Sequence, residues 1–140
     1  MSDRYFLDTN IFVYACDRTD SGKARRAETL ILEALQTRKG VISYQVAQEF
    51  LNLALRRFAR PMTTSEAAQY FHAVLQPLLT IHSSGVLLEE ALRVCERYRL
   101  SWYDALIVTA AIEADCALLY SEDFQDGQRF GTLRVRNPFP

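Results

Sequence analysis

The sequence predicts an α/β fold: a three-layer α/β/α sandwich with a central five-stranded parallel sheet. Three observations carry this. Short apolar runs alternate with longer stretches of helical period along the whole chain, as they do in crossover units whose strands run parallel. The early runs are almost continuously hydrophobic, as strands buried on both faces are. Finally, no linker, repeat or low-complexity tract divides the 140 residues, so a single domain spanning 1–140 is expected, long enough to bury a core.

In chain order, "RYFL" at Arg4–Leu7 is the first expected strand, and a short helix near Ile11–Cys16 follows it. A Leu-rich helix over Lys23–Thr37 ends in "TRK", with positive charge suited to the negative end of its dipole, and Gly40 follows. Gly40–Ile42 is the second strand, leading into a helix over Tyr44–Phe58. Pro61 and Pro77 each stop a helical pattern, bounding a helix over Thr64–Gln76. Leu78–Ile81 is the third strand, and "SSG" at 83–85 caps a helix over Gly85–Arg97. An almost wholly apolar helix over Trp102–Ala114 precedes the fourth strand, Ala117–Tyr120. The fifth, Leu133–Val135 within "TLRVRN", alternates apolar and charged residues and reads as a sheet edge.

Composition narrows the chemistry. With 49% hydrophobic residues, 24% charged and a formal net charge of −1, the chain has no global basic field, so a polyanion would need local patches or metal ions. "MSDRYF" lacks the pattern of a signal peptide, and no run of about 18 apolar residues appears. A soluble, cytoplasmic protein without membrane association is expected. Cys16, Cys95 and Cys116 are scattered with no C-x-x-C spacing, and His72 and His82 have no ligand spacing. They argue against disulfides, zinc and a histidine triad, leaving carboxylates to carry any chemistry.

Ligands of open parallel sheets bind outside the carboxyl ends of the strands, and four acids belong there. Asp8 follows the first strand in "FLDTN", and Glu49 lies about a turn into the helix after the second. Asp104 opens "SWYDALIVTAA", and Asp123 follows the fourth strand in "LLYSED". Glu49 falls beside the stripe Val46, Phe50, Leu53 and Ala54 rather than opposite it. Clustered carboxylates repel one another and resist desolvation unless a cation compensates. Oxygen ligands alone suit Mg²⁺ or Mn²⁺, and such an ion supports phosphodiester hydrolysis. Each acid also has a plainer reading. Asp8 could cap the following helix, Asp104 could form a capping box with Ser101, Glu49 could pair with an Arg, and Asp123 could make a turn. On the residues alone both readings stand. Arg129, Arg134 and Arg136 could contact phosphates, while Tyr70, Phe71 and Val74 read as packing rather than a base-stacking platform.

The segments "FLDTNIFVYA", "SYQVAQEFLNLALR", "LSWYDALIVTAA" and "LLYSEDFQDG" resemble the four motifs of PIN-domain ribonucleases. More closely they resemble the VapC toxins of type II toxin–antitoxin systems, over Tyr5 to Gly127. The resemblance implies a five-stranded parallel sheet and cleavage of RNA by water with Mg²⁺ or Mn²⁺, leaving a 5′-phosphate. It implies that Asp8, Glu49, Asp104 and Asp123 form the acidic metal-binding set. Asn10 takes the place of a polar residue that orients the first aspartate, and Ser121 that of the usual Thr or Ser. Glu122 and Asp126 are further candidates for the fourth acid, after Asp123. The expected partners are an RNA substrate, a cognate VapB-type antitoxin and a second copy of the chain in a homodimer. Two rival functions remain: a PIN-like domain that binds RNA or protein without catalysis, and a phosphatase with Asp8 as nucleophile. The phosphatase lacks an acid two residues on, where Asn10 stands, and the pure binding domain does not require the four acids that the chain keeps.

Overall fold

The computed structural model describes residues 2–139. Its strands are β1 (Arg4–Leu7), β2 (Gly40–Ser43), β3 (Leu79–Ile81), β4 (Cys116–Tyr120), β5 (Arg129–Phe130) and β6 (Leu133–Arg136). Among the described residues they form one sheet in the order β3-β2-β1-β4-β6-β5. The five expected strands are all present and mutually parallel; β5, which the sequence did not announce, pairs antiparallel with β6 and makes the sheet mixed. β6 is therefore not the edge. Its alternation of buried Leu133 and Val135 with exposed Arg134 and Arg136 reflects one covered face, while β5 and the segment before it occupy its outer side.

The helices are α1 (Thr9–Asp17), α2 (Ser21–Thr37), α3 (Tyr44–Arg56), α4 (Thr64–Tyr70), α5 (Gln76–Leu78), α6 (Gly85–Tyr98) and α7 (Trp102–Glu113). The chain steps outward from β1 to β2 to β3, then crosses back to place β4 on the other side of β1. Right-handed crossovers put α1 to α5 on one face and α6 with α7 on the other, in keeping with the packing of α1 on α2 and α3, and of α7 on α6, β2 and β4. No helix of the described residues is long and apolar enough to cross a membrane.

Local chemistry accounts for the boundaries. Asp20, Ser43, Thr63, Ser84 and Ser101 accept backbone N–H bonds at the starts of α2, α3, α4, α6 and α7. The helix expected over Thr64–Gln76 is interrupted: residues Phe71–Leu75 form a π-helical turn before α5. Pro77 is the cause, since its ring blocks an α-helical bond to the carbonyl four residues back and the ladder widens by one residue instead. Leu78 consequently closes α5, and β3 begins at Leu79. The C-cap of α2 is not Gly40 but Arg38, at φ 60°. Gly40 lies within β2, where a Cβ would come within 2.3 Å of the Ala34 Cβ and 3.1 Å of the Tyr5 ring. The absence of a side chain lets α2 lie directly on the sheet.

The core runs through Phe6, Leu7, Ile42, Val46 and Leu119 and extends to Phe12 and Phe50 between helices. Tyr70 stacks on Phe50 with ring centroids 5.0 Å apart, and Phe71 and Val74 in the π-helical turn pack against the same core, so this stripe is packing, as expected. The three cysteines are free, with Cys116 buried.

Candidate active site

Parallel register aligns the ends of β1, β4 and β6. Leu7 pairs with Tyr120, and Tyr120 with Arg136, so the residues that follow emerge together at the carboxyl edge. The chain order reverses on either side of β1, and Asp8 stands at that switch point.

Asp8 is only 5% exposed. It is the N-cap of α1, and its Oδ1 accepts the Thr9 N–H at 2.8 Å. Ser121 donates to Oδ2 at 2.7 Å and accepts the Asp123 N–H at 3.1 Å. Burial pushes the Asp8 carboxyl up from 3.8 to about 7; the bonds from Ser121 and Thr9 oppose this, and the charges of Asp123 and Glu49 reinforce it. The cap does not exclude a further partner, since a carboxylate oxygen that accepts one N–H keeps a lone pair for another.

Glu49 emerges from α3 beside the buried Val46 and Phe50. It pairs with no Arg among the described residues; its Oε1 accepts the Thr9 hydroxyl at 2.7 Å, and Oε2 faces Gln45 Nε2 at 3.5 Å. Asp104 sits in the first turn of α7, where its N–H donates to the Ser101 hydroxyl at 3.4 Å. No reciprocal bond from its carboxylate closes the capping box among the described residues, and that carboxylate faces the cleft. The Asp123 carboxyl is also raised, first by its loss of solvent on the inner side and then by Asp104, Glu122 and Glu49.

Asp8, Glu49, Asp104 and Asp123 all line one cleft of about 320 Å³, with Thr9, Asn10, Gln45, Asn52 and Tyr103 around them and Leu53 and Ile107 as apolar wall. Glu122 and Asp126 are not among its walls. Glu122 is drawn away by Lys23 at 3.1 Å and the Tyr14 hydroxyl, and Asp126 accepts the Asn137 N–H at 2.8 Å. Asn10 lies in the cleft, but it donates to Asp123 at 3.3 Å rather than to the first aspartate, which Ser121 orients instead. Sequence reasoning missed Thr9 and Gln45 as supports of Glu49. Their only trace is a polar residue on either side of an acid-bearing turn.

As the side chains stand, no group of three or more His, Cys, Asp or Glu is gathered tightly enough to hold a metal ion among the described residues. Hydrogen bonds hold Asp8 and Glu49 to their own supports, and like charges keep apart. The donor set nonetheless suits a hard cation that retains waters: it is oxygen-only, and the Asp8 and Asp123 carboxyls are raised by burial and by neighbouring acids, which a cation relieves.

Fold and site together define the class: α/β proteins that gather carboxylates at the carboxyl edge of a mostly parallel sheet, beside its switch point. Within that class the PIN domain matches residues 5–126, and the chain belongs to the PIN-domain family. Solved structures share the fold. A toxin–antitoxin complex from Klebsiella pneumoniae is 20% identical, with a TM-score of 0.68 over 96% of this chain and 98% of that one. VapC20 of Mycobacterium tuberculosis, described as a toxin that cleaves the sarcin–ricin loop, is 21% identical, with a TM-score of 0.63 over 93% and 98%. VapBC2 from Rickettsia felis, bound to a fragment of its promoter DNA, is 20% identical, with a TM-score of 0.64 over 95% and 97%. A search of curated protein sequences gives no match to this chain.

Proposed function

We propose that this chain, read as one PIN domain over 1–140, is a metal-dependent endoribonuclease and the toxin of a type II toxin–antitoxin pair. The observation that carries the reading is the convergence of Asp8, Glu49, Asp104 and Asp123, from four separate segments, on one cleft at the sheet's switch point. The structural neighbours described as toxins and toxin–antitoxin complexes support the biological setting. In this reading the four carboxylates hold Mg²⁺ or Mn²⁺. When bound, that ion neutralises the acids and the phosphate under attack and activates water for hydrolysis.

The chain's own residues set the geometry. Ser121 and the Thr9 N–H fix Asp8, the Thr9 hydroxyl fixes Glu49, and Asn10 steadies Asp123. A VapB-type antitoxin would silence the cleft, and a second copy would cover apolar side chains such as Val86 and Leu92 on α6. The site of action would be the cytoplasm, where the RNA is.

The test is Asp104→Asn. The Ser101 cap is a bond to the backbone and survives the change, so fold and melting temperature should be retained while Mg²⁺-dependent RNA cleavage by the purified protein is lost. Undiminished cleavage by the variant would sink the mechanism. A domain that only binds RNA would show no Mg²⁺-dependent cleavage in the unaltered chain either.

A further inference from the structure

A cleft walled by four carboxylates repels RNA, and a chain of net charge −1 offers no general attraction to compensate. A bound metal ion would serve the phosphate under attack, but the flanking strand needs cations beside the cleft. One concave surface at the same sheet edge supplies them: a pocket of about 610 Å³ lined by Lys23, Arg26, Arg136 and Asn137, with Phe139 and Asp20. Arg136 ends β6 in register with Tyr120 and, through it, with Leu7. Asn137 and Asp8 thus leave the sheet at the same level, two strand spacings or roughly 10 Å apart.

The pocket is firmly built. Asn137 donates its N–H to Asp126 and accepts the Phe139 N–H, both at 2.8 Å, which pins the chain beyond β6. The Phe139 ring packs edge-on against Tyr14 and lies 5.6 Å from the Lys23 ammonium. The acids present are engaged: Asp20 caps α2 by accepting the Lys23 N–H, and Glu122 is paired with Lys23. Arg26 and Arg136 are exposed, and neither forms an ion pair among the described residues. Two guanidiniums without carboxylate partners, a backbone-pinned amide and a half-exposed ring match the backbone phosphate and base of a single strand.

We propose that this pocket is a phosphate subsite for RNA flanking the scissile bond, with Arg26 and Arg136 as its cations. The inference rests on the reading of the carboxylate cleft as an RNA-cleaving site. The experiment measures binding apart from cleavage: fluorescence anisotropy of a short labelled single-stranded RNA, without divalent metal, across a salt series. Arg26→Gln/Arg136→Gln should weaken binding roughly tenfold and lower the salt slope by about 1.4, at about 0.7 per phosphate contact on a single strand. Arg93→Gln/Arg97→Gln, on the cavity near the start of β4 at the opposite edge, should leave the slope unchanged.

If the unaltered protein binds RNA with this dependence yet cleaves nothing with Mg²⁺, the pocket stands as an RNA-phosphate site, while the cleavage reading falls and with it the pocket's place beside a scissile bond. Cleavage by the unaltered protein, with affinity and slope unchanged in Arg26→Gln/Arg136→Gln, overturns the subsite alone. Loss of binding to a glutamate-rich peptide with RNA binding intact would also overturn it, making the pocket a protein-docking site.

Discussion

Asp8→Asn removes one charge from a position with 5% exposure and almost nothing else, since Asn is close in shape and caps a helix about as well as Asp. The magnitude follows from the carboxyl raised from 3.8 to about 7. A folded state that binds a proton more tightly than the unfolded chain loses stability as pH rises from the unfolded value through the folded one. The destabilisation from Asp8 is therefore absent below about pH 4, grows between about pH 4 and 7, and is complete above. At 1.36 kcal/mol for each tenfold change in proton affinity it amounts to about 4 kcal/mol as an upper figure. Rearrangement at Ser121, which must now meet an amide, reduces the gain, so about 2 kcal/mol is expected from the substitution at pH 8.

For a chain of this length that corresponds to a rise in melting temperature of roughly 5 °C. The assay is thermal unfolding in the presence of a chelator at pH 5 and pH 8, comparing the two proteins at each pH so that other titrations cancel. Asp8→Asn should gain at pH 8 and show little difference at pH 5. Added Mg²⁺ should then raise the melting temperature of the unaltered protein and not of the variant. Equal or lower stability of Asp8→Asn at both pH values would refute the account of Asp8 as a buried charge held at a cost. A pure cap would give the same small difference at every pH.

The remaining predictions concern the supports. Ser121→Ala removes the donor to Asp8 and the acceptor of the Asp123 N–H; it should cost about 1–3 kcal/mol in thermal or urea unfolding. Because that donor holds the Asp8 carboxyl down, its loss should also move the rising limb of the cleavage–pH profile to higher pH. Gly40→Ala drives a methyl to 2.3 Å from the Ala34 Cβ and should destabilise by about 1–3 kcal/mol by overpacking. Near-normal unfolding of this variant would show that α2 can lift from the sheet.

The strands and helices were legible because each carries its own periodicity. β1 and β2 are buried apolar runs, α3 shows a 3.6-residue stripe, and α7 is apolar all round. β5 was not, because two residues with one buried side chain make no pattern, and without it β6 passed for an edge. The role of Gly40 was hidden for a related reason: as punctuation after a helix it looked like a cap, whereas its need arises from Ala34 and Tyr5. The placing of four acids at strand ends was readable from their positions along the chain. Their couplings were not, since Thr9 reaches Glu49 across 40 residues and Ser121 reaches Asp8 across 113. Such pairings exist only once the sheet order exists.

That order explains why the site tolerates a buried acid at all. At the end of β1 the backbone on both sides is already engaged: the Asp8 N–H donates to Tyr120, and the Ser121 N–H donates to Arg136. Asp8 and Ser121 are thereby fixed as neighbours before any side chain is placed. The Ser121 hydroxyl and the first N–H of α1 then stabilise the Asp8 carboxylate enough to orient it, but not enough to bring its carboxyl down to an ordinary value. Each oxygen is left with spare lone pairs and a charge that the fold compensates only in part. A cation arriving in the cleft would meet ligands aimed by the scaffold and would offset repulsion that the folded chain otherwise bears alone, which places its binding energy in the same currency as folding stability. Stability and cation affinity are thus expected to trade against one another at Asp8.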